Sequence, residues 1–356
     1  MTALDHRTST DSLLRVITAA VERACSWVTA RIGVDGNPGA RHCHYYRVPW
    51  AMALAGRRFE ASSVLSWVER EAVDENGDLA AGEPRTGFET RWSSYPLAIL
   101  ASGAWHLERY DTALRLVRRL HAYQHPETGG AFAAHPDHRT DERQDLFPTA
   151  QLGMTGLTTG EWDLAHGAFR WMKLLHDAQP DLPRRLYSAT DGSRLIVDVA
   201  DDATAWQVVT DFAQPRQAFY NPGIAAAFLG RYHMATGDAE ALELARQYLD
   251  LTVKGTEAQF DHTDSVQVCK FGWGAAVLLE ATGEEQYLEH VLRMGRWFLE
   301  AQNEDGSWDN SPFLMARGGH ADSIRVEITV EFIQHLVSIA SALGGWRRNP
   351  NGDQIA

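Results

Sequence analysis

The chain is poor in cysteine: Cys25, Cys43 and Cys269 are the three in 356 residues, and no two share a Cys-x-x-Cys spacing. That excludes a disulfide framework, and the odd count fits a reducing compartment. Basic residues are also short. There are 33 Lys and Arg against 47 Asp and Glu, for a net charge of -14 and a pI near 5.5. A nucleic-acid or anionic-membrane partner needs a basic face, so neither is expected. The stretch Met1–Ser12 is polar, carries Asp5 and Asp11, and lacks the apolar segment of a secretory leader. No apolar run approaches the ~20 residues of a membrane span. These absences predict a soluble cytoplasmic protein whose partner is a small-molecule substrate. The apolar fraction of 44% is enough for a large core.

Apolar residues recur at helical spacing along most of the chain. The periodicity predicts helices over about 11–33, 44–56, 58–73, 90–108, 110–124, 145–159, 161–177, 217–236, 238–254, 264–282, 284–302 and 323–343. Two kinds of junction alternate between them. One is tight: Ala55-Gly56-Arg57, Leu107-Glu108-Arg109, Thr159-Gly160-Glu161, Thr236-Gly237-Asp238 and Thr282-Gly283-Glu284. Glycine there suits a left-handed helix cap, and the acidic residue suits the next N-terminus. The other is longer: Asp35-Gly36-Asn37, Asn76-Gly77-Asp78, Thr128-Gly129-Gly130, Asp191-Gly192-Ser193 and Asp305-Gly306-Ser307-Trp308. Helices of the 44–56, 90–108, 145–159, 217–236 and 264–282 set are rich in small residues, as close approach in an inner ring requires. Their partners carry more charge, as an outer shell with one solvated face requires.

The pattern predicts an all-α (α/α)6 barrel, or toroid, of about six helical hairpins. An insertion over 179–216 holds a small β-hairpin near 183–200, with Leu186-Tyr187-Ser188 and Arg194–Asp198 as strands around Asp191-Gly192. Residues 1–10 read as a disordered or extended N-terminus, 11–345 as one toroid domain and 346–356 as a C-terminal tail.

The string Arg293-x-x-x-Trp297-x-x-x-x-Gln302-x-x-x-Gly306-x-Trp308 resembles the QW motif of the terpenoid-cyclase and prenyltransferase α/α toroids. The resemblance implies that Gln302 and Trp308 tie an outer helix end to the next turn. It departs from the motif at Met294 and Phe298. The catalytic motifs of these families are absent. The nearest string to the cyclases' Asp-x-Asp-Asp is Asp198-Val199-Ala200-Asp201-Asp202, in the insertion. Two positions before Cys269 stands Gln267, where the prenyltransferase zinc site has Asp. No metal and no cofactor is therefore expected.

In toroid enzymes of this type the active site lies at the inner-helix N-termini, and here those openings are polar and aromatic. The candidate catalytic groups are His44, Tyr45, Glu89, Asp264 and Glu327, as titratable side chains for general acid–base work. The candidate substrate contacts at the first two openings are Tyr46, Arg47, Trp50, Arg91, Trp92 and Tyr95. At the later ones they are Tyr220, Asn221, Gln267, Cys269 and Phe271. The aromatic faces suit either a developing carbocation or a sugar ring. The spacing of Arg325, Glu327 and Glu331 equally fits a solvated helix face.

The leading expectation is a lyase- or isomerase-type enzyme. It would carry out acid/base cyclisation, isomerisation or dehydration of a largely apolar terpenoid or polyketide-like metabolite. The alternatives are a carbohydrate-active (α/α)6 enzyme (glycoside hydrolase, uronate lyase or sugar epimerase) and a non-catalytic helical scaffold. Fold alone does not choose among them.

Overall fold

The computed structural model describes residues 3–39, 45–80, 92–199, 205, 208–261, 268–309 and 322–348, leaving aside the side chains of 3–9, 322–324 and 347–348. Among these residues twelve α-helices alternate between two layers. The inner layer holds α2 (Val48–Leu54), α4 (Ser94–His106), α6 (Leu146–Thr159), α8 (Tyr220–Thr236), α10 (Cys269–Thr282) and α12 (Asp322–Arg348). The outer layer holds α1 (Ala3–Thr29), α3 (Arg58–Glu71), α5 (Tyr110–Leu120), α7 (Trp162–Asp177), α9 (Ala239–Val253) and α11 (Glu285–Glu300). Each inner helix touches the next, and α12 touches α2, so the inner layer closes. Helix α1 lies against both α11 and α12 and completes the outer layer. The result is the α/α toroid that the alternation of small-rich and charged helices predicts.

The layers differ for a sequence reason. Along α4, α8 and α10 nearly every side chain is buried, so these helices are apolar on all faces. The outer helix α5, by contrast, buries Ala113, Leu116, Val117 and Leu120 and turns Arg115, Arg118 and Arg119 elsewhere. The tight junctions cap as expected. Gly160, Gly237 and Gly283 close α6, α8 and α10 in the left-handed region. Asp238 then opens α9, accepting from the N–H groups of Glu240 and Ala241 at 2.9 and 3.2 Å.

The longer junctions hold the ring together. Gly36, Gly77, Gly129 and Gly306 all have φ between 83° and 93°. Each also presses against the backbone of a neighbouring outer helix. A Cβ on Gly36 would lie 2.2 Å from the Ser63 carbonyl oxygen of α3, and one on Gly77 2.5 Å from that of Arg115 on α5. On Gly129 it would lie 2.2 Å from the Gly167 oxygen of α7, and on Gly306 2.7 Å from the Arg23 oxygen of α1. One loop thus repeats four times, and its last copy joins the end of the chain to its beginning.

Glutamines reinforce two of these joints. Gln302 Nε2 donates to the carbonyls of Ala20 on α1 and Gly306, at 2.9 and 3.0 Å. Gln124 Nε2 does the same to Leu164 on α7 and Gly129, at 3.0 and 2.9 Å. Trp308 is fully buried and its indole N–H donates to the Phe298 carbonyl at 2.8 Å. The tie between outer helix and next turn, expected from the QW-like string, is present.

Three expectations need correction. Helix α1 begins at Ala3, so residues 3–10 are helical rather than extended, and α12 runs on to Arg348. In the insertion, β3 (Ala189–Asp191) pairs with β4 (Arg194–Leu195) around Gly192, while β2 (Arg185–Tyr187) pairs instead with β5 (Val209–Asp211). Strand β1 (Arg143–Asp145) adds to β3, so the predicted hairpin is one part of two small sheets. Lastly, the segment Arg325–Trp346 of α12 is long and apolar enough, by length and composition, to cross a membrane. It is 78% buried within the toroid, where an inner helix must be apolar all round.

Gly306→Ala combines a left-handed φ with a backbone clash at the ring's closing joint. It is expected to destabilise the fold by about 2–4 kcal/mol. Gly237→Ala, where a Cβ meets nothing within 4 Å, should cost only about 1 kcal/mol. Urea denaturation followed by far-UV circular dichroism measures both. Equal losses would contradict the joint.

Candidate active site

Glu331 lies about two and a half turns into α12, fully inside the hub. Two cations meet it there. Lys270 Nζ, from the first turn of α10, bonds Glu331 Oε1, and Arg47 Nη2, just before α2, lies 3.4 Å from Oε2. All three side chains are at most 4% exposed. Backbone packing fixes the lysine: Gly223 of α8 sits so close to Lys270 that a Cβ there would be 2.3 Å from the Lys270 carbonyl. Two phenols extend the cluster. Arg47 Nη2 donates to Tyr95 OH at 2.6 Å, and Tyr46 OH donates to Glu327 Oε1 at 2.7 Å. His335, one turn beyond Glu331, approaches the same Oε1 with Nε2 at 3.4 Å. Cys269 Sγ reaches it at 3.7 Å.

These contacts set the protonation states. Burial works to raise the Glu331 carboxyl, but Arg47, Lys270 and His335 outweigh it and hold the group well below the usual range. Burial likewise opposes the charge on Lys270, and the acidic groups beside it more than reverse that. Glu331 is therefore a carboxylate and Lys270 an ammonium. Burial pushes the Cys269 thiol up to about 12, so it is an S–H donor. Burial pulls His335 down to about 4 despite the Glu331 hydrogen bond, so the imidazole is neutral. Tyr46 is raised well above its ordinary value, by burial first, and keeps its proton.

Among the described residues, Cys269, Glu331 and His335 bring three metal-ligand atoms within 4.8 Å of one another. The Lys270 ammonium already occupies the shared oxygen, and a divalent ion there would also face Arg47. The donor set fits a hydrogen-bonded ion cluster better than a metal centre.

Aromatic rings wall the cluster on the side of α4, α6 and α8. Phe147 lies 4.3 Å from Tyr95, 4.8 Å from Trp92 and 5.1 Å from Tyr220, centroid to centroid. The Lys270 ammonium lies 5.1 and 5.6 Å from the Phe147 and Tyr220 ring centroids. Among the described residues, Arg47 Nε, His335 Nδ1 and, in the first turn of α8, Asn221 Oδ1 are buried at this end with no hydrogen-bond partner.

The structure thus gathers Tyr46, Arg47, Trp92, Tyr95, Tyr220, Cys269 and Glu327 at one end of the hub, as the sequence suggests. Glu327 and Glu331 are buried there rather than on a solvated face. Three candidates go elsewhere. Tyr45 packs edge-on against Trp67 of α3 at 5.1 Å, in the seam between the layers. Phe271 points at the outer layer too, 5.3 Å from His290 of α11. Trp50, in the seven-residue helix α2, lines a cavity at the opposite end. His44, Glu89, Arg91, Asp264 and Gln267 lie outside the described residues. Sequence reading passed over Lys270, Glu331 as a hub group, His335 and Phe147. The signal was present: a lysine, a glutamate and a histidine stand within otherwise apolar inner helices, where a charge must find a partner.

No family model matches the chain, and no curated protein matches it. Solved structures do. A family 76 glycoside hydrolase from a bovine Bacteroides thetaiotaomicron strain is 12% identical with a TM-score of 0.63, over 91% of this chain and 77% of that one. The GH76A α-1,6-mannanase from Salegentibacter sp. HEL1_6 is 11% identical with a TM-score of 0.62, over 92% and 99%. The latter is also similar as an inactive variant, with two consecutive aspartates replaced, in complex with α-1,6-mannotetrose. A possible member of the GH105 family from Salmonella enterica is 11% identical with a TM-score of 0.55, over 91% and 93%. At these identities the likeness is one of fold. It gives the α/α toroid and nothing finer to the terpenoid-cyclase resemblance.

Glu331→Gln leaves Arg47 and Lys270 buried with no full counter-charge and is expected to cost about 3–5 kcal/mol. The neutral His335 adds a pH dependence. Its folded-state value, near 4, lies below the ~6.5 of the unfolded chain, so the unfolded state takes up the proton first. Stability should be full above about pH 6.5 and fall by roughly 3 kcal/mol on the way to pH 4. Urea titrations of the wild type and His335→Gln across that window check this. The variant should show the shallower slope, and parallel curves would contradict the assignment.

Proposed function

We propose that the protein is a carbohydrate-active (α/α)6 enzyme whose site is the hub end where the inner-helix N-termini meet. The observation that carries this reading is the buried Arg47–Glu331–Lys270 cluster set beside the Trp92, Phe147 and Tyr220 rings. A desolvated triad of charges is weak support for a fold and a frequent mark of a site. Aromatic faces beside hydrogen-bonding groups suit a sugar, which is apolar on its ring faces and polar at its edge. The glycoside hydrolases of like fold support the same class.

One contact favours this reading over the apolar, carbocation-based one. The Phe147 and Tyr220 π faces already hold the Lys270 ammonium. A carbocation developing there would meet a fixed positive charge and lose the stabilisation those rings supply.

In this reading Glu331 is a counter-ion that fixes Arg47 and Lys270. Glu327, oriented by the Tyr46 hydroxyl, is the acid/base candidate on α12. A hydrolase needs a second carboxyl roughly 5–10 Å away. The chain offers Glu89, Asp264 and its one adjacent aspartate pair, Asp201-Asp202, for that role. All four precede inner helices in sequence. Trp92 would stack on the sugar.

α-1,6-Manno-oligosaccharides are the first substrates to test, followed by glucosides and uronides, with release of reducing ends as the readout. Wild type should turn over at least one of them. Glu327→Gln should lower kcat by about 10²-fold or more with the circular dichroism unchanged, and Trp92→Ala should mainly raise KM. No turnover and no binding across the panel would overturn the proposal, as would full activity in Glu327→Gln.

A further inference from the structure

The tight-turn end of the toroid, opposite the proposed site, carries a cavity and a projection side by side. The cavity has a volume of about 790 Å³ and opens between the last turns of α4, α6 and α8 and the middle of α12. Trp105, Leu157 and Val337 are partly exposed along its wall. Tyr110 and Met234, 48% and 41% exposed, stand at its mouth. The projection is Phe59, the second residue of α3. It is 85% exposed, more than any other Phe, Tyr or Trp among the described residues. Its neighbour Arg58 fixes where it stands. That guanidinium donates to the His106 carbonyl at 3.0 Å and to Glu108 Oε1 at 3.1 Å, and both residues line the cavity. Phe59 therefore rises beside the mouth, with its ring in solvent rather than in its own copy's cavity. One exposed apolar side chain is ordinary; an apolar knob, rim and hole together mark an interaction surface.

Charge selects what covers this face. The chain carries a net charge of -14, so two copies repel at long range. At this end, however, ions are matched within each copy: Arg57 with Glu22, Arg58 with Glu108 at 3.1 Å, and Arg231 with Glu280 at 3.4 Å. Burial, then Arg231 and Arg58, lower the His106 pKa, so that imidazole is uncharged at neutral pH. These groups leave the mouth without excess charge. They give a strongly basic or acidic partner little to recognise and a second copy little repulsion to overcome.

Shape supplies the fit. When a knob and a hole lie on one face, a two-fold axis in that face, midway between them, sets each copy's knob over the other's hole. Two contacts then form at once, and neither a knob nor a hole is left over.

We propose that the tight-turn end is a homodimer interface in which Phe59 of each copy inserts into the cavity of the other. Paired in this way, the two proposed sites face outward at opposite ends. The dimer goes beyond the carbohydrate reading and does not depend on it.

Sedimentation equilibrium of the full chain tests this. Wild type, 39.7 kDa as a monomer, should reach the dimer mass below about 100 μM. Phe59→Ala should raise Kd by about 10²-fold or more, because a two-fold dimer loses the contact twice. Ala235→Trp, at an exposed position of the cavity, blocks the hole and should act alike. The two variants mixed in equal amounts should dimerise more tightly than either alone. One keeps its Phe59 and the other keeps its cavity, so a single contact returns. If Ala235→Trp does not fold, Phe59→Ala alone decides. Wild type that stays monomeric up to about 100 μM overturns the proposal, whether or not this face binds a bilayer or another protein. So does a dimer that neither variant weakens, or a mixture no tighter than its components.

Discussion

The contact on which this molecule depends is a glycine laid on its neighbour's backbone. Four of the five long junctions put one residue in the left-handed region and press its Cα side against the carbonyls of the adjacent outer helix. No other residue fits both demands. The joint occurs between α1 and α3, α3 and α5, and α5 and α7, and again from the end of α11 back onto α1. In this last place it turns a row of hairpins into a ring. It is missing in the second half, where the insertion carrying the small sheets intervenes and Gly192 meets nothing within 4 Å. There the inner helices carry the connection, and α8 approaches α10 closely enough to fix Lys270.

Closure is what makes buried charge tolerable. The first turns of α4, α6, α8 and α10, the residue before α2 and the third turn of α12 meet at one place, and residues far apart in sequence reach a common hydrogen-bonded cluster. Arg47 and Glu331 stand at opposite ends of the chain, yet they meet because α12 packs on α2. An isolated carboxylate in that interior would take up a proton rather than stay charged. Two cations and a neutral imidazole keep Glu331 ionised. The same closure leaves the hub's two ends unlike one another. One holds a buried ionic cluster; the other is lined by indoles, with Arg231 and Glu108 in ion pairs at its rim. Trp273 and His335, 5.6 Å apart, lie between them.

Architecture was legible in the sequence because helical period, glycine junctions and the contrast of small-rich with charged helices all repeat. Twelve predicted segments correspond to twelve helices, and Gln302 and Trp308 tie the ring as their spacing implies. Strand register in the insertion was not legible. Leu186-Tyr187 is equally apolar toward either partner, and β5 lies too far along the chain for a local hairpin rule to find it. The site was half legible. Polar first turns drew attention to Tyr46, Arg47, Tyr95 and Glu327. Direction around a helix, however, depends on tertiary packing: Tyr45 and Tyr46 are adjacent, and only one joins the cluster. Lys270 and His335 were obscured by their apolar neighbours, although a charge inside an apolar helix was itself the clue.

Amide hydrogen exchange under native conditions tests the ring most directly. If the Gly306 joint closes it, peptides from α1, α11 and 302–308 exchange together and as slowly as the buried helices α8 and α10. If α1 exchanges freely while α8 and α10 stay protected, the chain is an open row of hairpins and the account fails.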